Sequence, residues 1–106
     1  MNKYQFAVTY IVDGDTVEGD LICQDLGIVF PKQRLRFMWC NTPERGQEGY
    51  QEAKDFTDSY LSEKTVTLGV YKKDAFGRWL TDVYISEDET LNQLLLKEGL
   101  AVPFKD

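Results

Sequence analysis

The sequence predicts a β-rich α+β domain: five short strands closed into a barrel, one helix between the third and fourth strands, and a short helix near the end. Three observations carry that reading. Apolar residues alternate with period two in five separate stretches, the pattern of half-buried strands. The period changes once to helical offsets, between the third and fourth stretches. The chain has 106 residues, enough for one domain of ordinary size and too few for two. No repeat or Pro/Gly-rich linker divides it, so residues 1–106 are expected to form a single domain.

Taken in order, Tyr4, Phe6, Val8, Tyr10 and Val12 alternate with smaller or polar residues as the first strand. Asp13-Gly14-Asp15 is a tight-turn signature, and Thr16–Ile22 resumes as a strand. A loop around Gly27 and Pro31 leads to Arg34–Trp39, where Leu35, Phe37 and Trp39 are expected on one face and Arg34 and Arg36 on the other. Asn41-Thr42-Pro43-Glu44 must then leave that sheet, since proline cannot donate to a central ladder. Ala53, Phe56, Tyr60 and Leu61 form one stripe of a helix over about residues 48–63. Thr65–Tyr71 and Arg78–Ile85 alternate again, joined by a turn at 72–77. Thr90 is a plausible N-cap for a helix over Leu91–Glu98, and Gly99 its left-handed stop. Five short strands with a helix after the third is the order of an OB-fold barrel.

Composition narrows the chemistry. Twelve Lys+Arg against 18 Asp+Glu give a net charge of −6, and there is no histidine. Histidine-based nucleophile triads, histidine-ligated zinc and an imidazole general base are therefore excluded. Cys23 and Cys40 make neither a disulfide framework nor a CxxC pair, and are read as reduced, buried thiols. No apolar run approaches the length of about 18–20 residues that spans a bilayer, and the first residues lack the apolar segment of a secretory signal. A cytoplasmic, monomeric protein without membrane contact is the expectation. Charge is uneven: residues 31–54 carry five positive and three negative groups, a locally basic stretch in an acidic chain.

Three polar clusters stand where strands end. Asp13-Gly14-Asp15-Thr16 places two carboxylates at a turn, suited to a hard cation, although Asp and Gly are also ordinary hairpin residues. Arg36 with Asn41-Thr42-Pro43-Glu44 puts a guanidinium, an amide and a carboxylate at one strand exit; a solvated strand followed by a proline-initiated loop has the same sequence. Asp74-Ala75-Phe76-Gly77-Arg78 delivers an arginine onto a strand start, where surface arginines are common. Together they match what phosphodiester hydrolysis demands. Negative charge grows on phosphorus oxygens in the transition state, a divalent cation and two guanidinium forks stabilise it, and a carboxylate handles the attacking water.

Val12-Asp13-Gly14-Asp15-Thr16-Val17, Arg36 with Asn41-Thr42-Pro43-Glu44, Asp74-Ala75-Phe76-Gly77-Arg78, Leu91-Asn92 and Gly99-Leu100-Ala101 follow one another over residues 4–102. In this order they resemble the thermonuclease, or staphylococcal nuclease-like, domain family. The resemblance implies an OB-fold and calcium-dependent hydrolysis of DNA and RNA to 3′-phosphates. It implies Asp15, Asn41 and the Thr42 carbonyl as calcium ligands, Glu44 as general base or water-positioning group, and Arg36 and Arg78 as phosphate clamps. Phe76 and Arg34 are further candidate nucleic-acid contacts, Phe76 by stacking on a base.

The chain departs from the family pattern in three places. Asn41 replaces the usual Asp, which removes one negative charge from the metal site. Ala75-Phe76 replaces Lys-Tyr. The further C-terminal helix of longer members, with its nucleotide-flanking tyrosines, is expected to be lacking from residues 1–106, with Phe104 as a weak substitute for those tyrosines. Two functions follow: a metal-dependent nuclease, favoured because Asp15, Arg36, Glu44 and Arg78 are all retained, or the same barrel without turnover, holding nucleic acid or a protein. Net negative charge favours weak, salt-sensitive substrate binding concentrated near residues 32–45.

Overall fold

A computed structural model describes residues 2–104. Strands β1 (Asn2–Asp13), β2 (Thr16–Cys23) and β3 (Ile28–Phe37) are followed by a two-residue strand β4 (Cys40–Asn41) and helix α1 (Tyr50–Leu61). Then come β5 (Thr65–Lys73), β6 (Trp79–Tyr84), helix α2 (Leu91–Lys97) and a two-residue strand β7 (Val102–Pro103). The five long strands close as β1-β2-β3-β6-β5, and β4 and β7 form a separate two-stranded ladder. This is the five-stranded OB-type α+β barrel that the alternation and the helix position predict. Closure is made by one parallel pairing, β3 with β6, in which Arg36 stands opposite Leu80 and Phe37 opposite Thr81.

Phe6, Val17, Leu35, Phe37, Leu68 and Val83 fill the barrel and are fully buried. Bulges explain where strict alternation fails. Thr9 is an extra residue between the Val8–Gly19 and Tyr10–Glu18 pairs, which reverses the faces beyond it. Ile11 therefore turns inward and Tyr10 outward, the opposite of the predicted stripe. Pro31 lies within β3, not in a loop. Two residues, Pro31 and Lys32, oppose Asp20, and the missing proline donor is tolerated at that bulge. Trp39 does not share the core face of Leu35 and Phe37. β3 ends at Phe37, and Trp39 sits exposed in a turn at φ 71°.

Helix α1 packs on the β1–β2 turn. Ala53, Thr57 and Leu61 are its buried residues, with Phe56 and Tyr60 packed at the margin. A Cβ on Gly14 would lie 2.9 Å from that of Ala53 and 3.0 Å from Cγ2 of Thr42, so only glycine lets helix and turn approach. The Thr57 hydroxyl donates to the Gly14 carbonyl, a buried contact that the apolar stripe did not reveal. Thr90 caps α2 by accepting from the Gln93 N–H, and Gly99 ends it at φ 73°. Asn92, buried beneath α2, accepts from the Val83 N–H and donates to the Met38 and Thr81 carbonyls. It ties α2 to β6 and to the turn after β3. No helix among the described residues is long and apolar enough to cross a membrane.

Candidate active site

The β1–β2 turn, the end of β3, the segment after β4 and the start of β6 meet at one end of the barrel. Their side chains line a cleft of about 210 Å³ formed by Asp13, Asp15, Thr16, Arg36, Asn41, Thr42, Pro43, Glu44 and Arg78. Six of the eight residues singled out in the sequence, from three separate stretches, are thus brought together. The other two lie outside the lining. Arg34 is exposed on β3 and pairs with Glu18 across the β2–β3 ladder at 3.1 Å. Phe76 is 83 % exposed at the tip of the β5–β6 turn.

Asp15 and Arg36 are the buried pair at the base of the cleft, 6 % and 8 % exposed. Asp15 Oδ2 accepts the Thr42 N–H at 2.9 Å and lies 3.1 Å from Arg36 Nη1. Its Oδ1 accepts the Thr16 hydroxyl at 2.9 Å. Arg36 Nη1 also donates to the Phe37 and Cys40 carbonyls, and Nη2 to Asn41 Oδ1 at 2.9 Å. Arg36, expected on the strand face opposite Leu35 and Phe37, is thus buried and not solvent-facing. Carbonyls freed where β3 ends turn back toward its guanidinium, so a charged side chain on the polar face of a strand is drawn inward. Nε and one Nη2 proton have no acceptor among the described residues, and this edge remains for a ligand in the cleft.

Arg78 is held differently. The Asp74 carboxylate accepts the backbone N–H groups of Phe76 and Arg78 through Oδ1, an Asx-type turn, and Arg78 Nε through Oδ2 at 2.7 Å. Burial alone would raise the Asp74 pKa, but these hydrogen bonds outweigh it and hold the carboxyl below its ordinary value. The Arg78 guanidinium also lies over the Phe76 ring at 5.3 Å. Asp74 was visible in the sequence as part of its motif, and the i,i+4 spacing to Arg78 was the signal for its orienting role. Cys40 is buried and Cys23 half-buried, both unbridged. Burial first, then Asp15, pushes the Cys40 thiol up to about 12 against the opposing effect of Arg36. It stays protonated and is no thiolate ligand or nucleophile.

The donors that face the cleft suit a hard cation. Each carboxylate or amide oxygen has two lone pairs, so Asp15 Oδ1 and Asn41 Oδ1 each keep one after their single hydrogen bonds. Thr42 Oγ1 is buried without a partner among the described residues. All are oxygens, which excludes a soft metal. No group of three or more His, Cys, Asp or Glu side chains that could hold a metal ion gathers among the described residues, so a cation here would rely on neutral oxygens for most of its ligands.

An OB-type barrel with a guanidinium- and carboxylate-lined cleft at one end is the class that fold and site define. Comparison with known proteins makes it specific. The family described as staphylococcal nuclease homologue matches residues 34–105. An uncharacterised endonuclease of Escherichia coli O157:H7 is 30 % identical over 94 residues, which cover 89 % of this chain and 57 % of that protein. A probable staphylococcal-like nuclease of Oryza sativa subsp. japonica is 29 % identical over 83 residues, 78 % of this chain and 22 % of its own length. The chain thus spans little more than half the length of the bacterial relative. It belongs to the staphylococcal nuclease homologue family.

Proposed function

We propose that this domain is a nuclease that hydrolyses phosphodiester bonds of DNA or RNA with the help of calcium. The observation that supports this reading best is the convergence of Arg36, Arg78, Asp15 and Glu44 on one cleft. Glu44 takes a proton from a water molecule as its oxygen bonds to phosphorus. The P–O5′ bond breaks, the leaving oxygen is protonated from solvent, and the products are a 3′-phosphate and a 5′-hydroxyl. The free edge of Arg36 and the Nη groups of Arg78 stabilise the charge that grows on the phosphoryl oxygens. Asp15, Asn41 and the Thr42 carbonyl would hold the cation, which supplies further positive charge to the phosphate.

One observation favours the second reading, a barrel that binds without turnover. Glu44 is exposed, and its carboxylate has no partner among the described residues to fix it over the cleft. Incubation with single-stranded DNA and RNA in calcium, magnesium and EDTA separates the two. Fragments with 3′-phosphate ends in calcium support the nuclease; intact substrate in every condition supports the binding module.

A further inference from the structure

Two backbone irregularities turn two aromatic side chains to the same place beside the cleft. Trp39 sits in the turn between β3 and β4 at φ 71°, a left-handed conformation that a bulky residue adopts only under constraint. Tyr71 is the extra residue of a bulge in β5, between the Val70–Thr81 and Lys72–Leu80 pairs; bulges re-aim side chains in this way. Their rings meet edge to face, with centroids 5.8 Å apart. The indole N–H donates to the Tyr71 hydroxyl at 3.2 Å, which donates to Asp82 Oδ2 at 2.6 Å. Both polar edges are thus fixed, while Trp39 remains 40 % and Tyr71 38 % exposed. Burial and then the bond to Asp82 keep the phenol protonated as a donor.

The pair connects to the cleft residue Arg36 through Phe104. The Trp39 carbonyl accepts the Phe104 N–H at 2.9 Å, and the Phe104 ring lies 5.6 Å from the Arg36 guanidinium. A tryptophan held at positive φ that still leaves 40 % of its surface exposed is placed for more than core packing. Rings held by their edges beside a guanidinium cleft are instead suited to stacking. Bases in a duplex already use both faces against their neighbours, so only unpaired bases have a π-face to offer.

We infer that Trp39 and Tyr71 form a stacking platform for unpaired bases of a single-stranded nucleic acid whose backbone enters the Arg36 cleft. The inference rests on the nuclease reading for the polarity of that cleft, and what it adds is the pair of rings that would hold the bases.

The test compares Trp39→Gly, Tyr71→Ala and Trp39→Phe with the parent. Glycine relieves the positive φ, so Trp39→Gly is expected to melt close to the parent although it loses the ring. Affinity is measured in calcium with a fluorescent oligothymidylate and a duplex of the same length, both phosphorothioate-linked to slow cleavage. Hydrolysis of a nitrophenyl ester of a thymidine phosphate, too small to reach the platform, is followed in parallel. Trp39→Gly and Tyr71→Ala should each weaken single-strand binding about tenfold, leave duplex binding and ester hydrolysis within about twofold, and Trp39→Phe should restore most of the loss. Unchanged single-strand affinity in folded variants overturns the platform. So does an equal loss for single strand and duplex, or a parent dimer that dissociates in Trp39→Gly, which would mark the rings as a self-association surface. Failure of the parent to hydrolyse the ester sinks the nuclease reading alone, since the binding comparison still decides the platform.

Discussion

The two arginines that face the cleft are anchored by opposite ends of the guanidinium. Arg36 is gripped at its Nη groups by Asp15, two backbone carbonyls and Asn41, which leaves its Nε edge for a ligand. Among the described residues Arg78 is gripped at Nε by Asp74, and its Nη ends have no acceptor. The first is nine-tenths buried and joins three parts of the barrel; the second rests on one turn and is partly exposed. One arginine therefore belongs to the fold as much as to the cleft, and the other almost wholly to the cleft. Removing each in turn should give different losses.

The largest effect is expected at Arg36. Arg36→Ala leaves Asp15 buried without its counter-charge and two carbonyls without a donor, so unfolding free energy should fall by about 3–5 kcal/mol. That domain should be partly unfolded at 37 °C and inactive for both reasons. Urea titration followed by tryptophan fluorescence measures the stability loss. A stable, folded Arg36→Ala protein would show that the buried pair contributes little and that the two arginines are equivalent after all.

Arg78→Ala should separate the functions cleanly. It removes an i,i+4 pair at a turn and should change stability by less than about 1 kcal/mol, while cleavage falls by about 10³-fold if the guanidinium acts on the transition state. Lysine should rescue poorly, because an ammonium cannot reproduce the fork. Asp74 adds a pH signature. Its folded pKa lies below the unfolded value, so its contribution is present above the ordinary aspartate range and is lost as pH falls through the folded value. The stability gap between parent and Asp74→Asn, measured by thermal melts, should close in strong acid and be open at neutral pH.

That contrast between the arginines was not legible in the sequence. Five strands, both helices, the Thr90 cap and the Gly99 stop follow from period and local turn chemistry, which act over a few residues. Arg36 alternates with Leu35 and Phe37 like any solvent-facing strand residue. Its burial depends on Asp15, which lies 21 positions earlier, and on carbonyls exposed only where β3 ends. The β4–β7 ladder was missed because two-residue strands have no period, and its partners are 61 and 63 residues apart. Bulges at Thr9, Pro31–Lys32 and Tyr71 were missed because a single inserted residue is invisible until the partner strand sets the register. The site residues were legible as types and motifs, whereas what anchors each of them was not.

Glu44 extends the comparison to a residue whose carboxylate has no partner among the described residues. Glu44→Gln keeps size and polarity but cannot take a proton, so on the proposed mechanism turnover should fall by about 10²-fold or more. Affinity for an oligonucleotide in calcium should shift less than about tenfold. The ratio of the two losses is informative, since equal losses in rate and binding would place Glu44 among the cation ligands instead.

The smallest effect concerns Asn41, whose Oδ1 sits on Arg36 Nη2. Asn41→Asp adds a second carboxylate beside Asp15, and two anions this close would ordinarily repel. Here Arg36 lies against both and offsets the repulsion, so stability in EDTA should change by less than about 1 kcal/mol. Oxygen-ligand sites gain affinity with ligand charge, and a site with one certain anion falls toward roughly millimolar dissociation constants. A second anion should tighten calcium binding about tenfold, which at saturation adds about 1.4 kcal/mol to folding by linkage. Calcium should then raise the melting temperature more in the variant than in the parent, and calorimetric titration should give the matching ratio of constants. If the variant binds calcium no more tightly, Asn41 is not a cation ligand, and its amide serves only to hold the Nη2 end of Arg36.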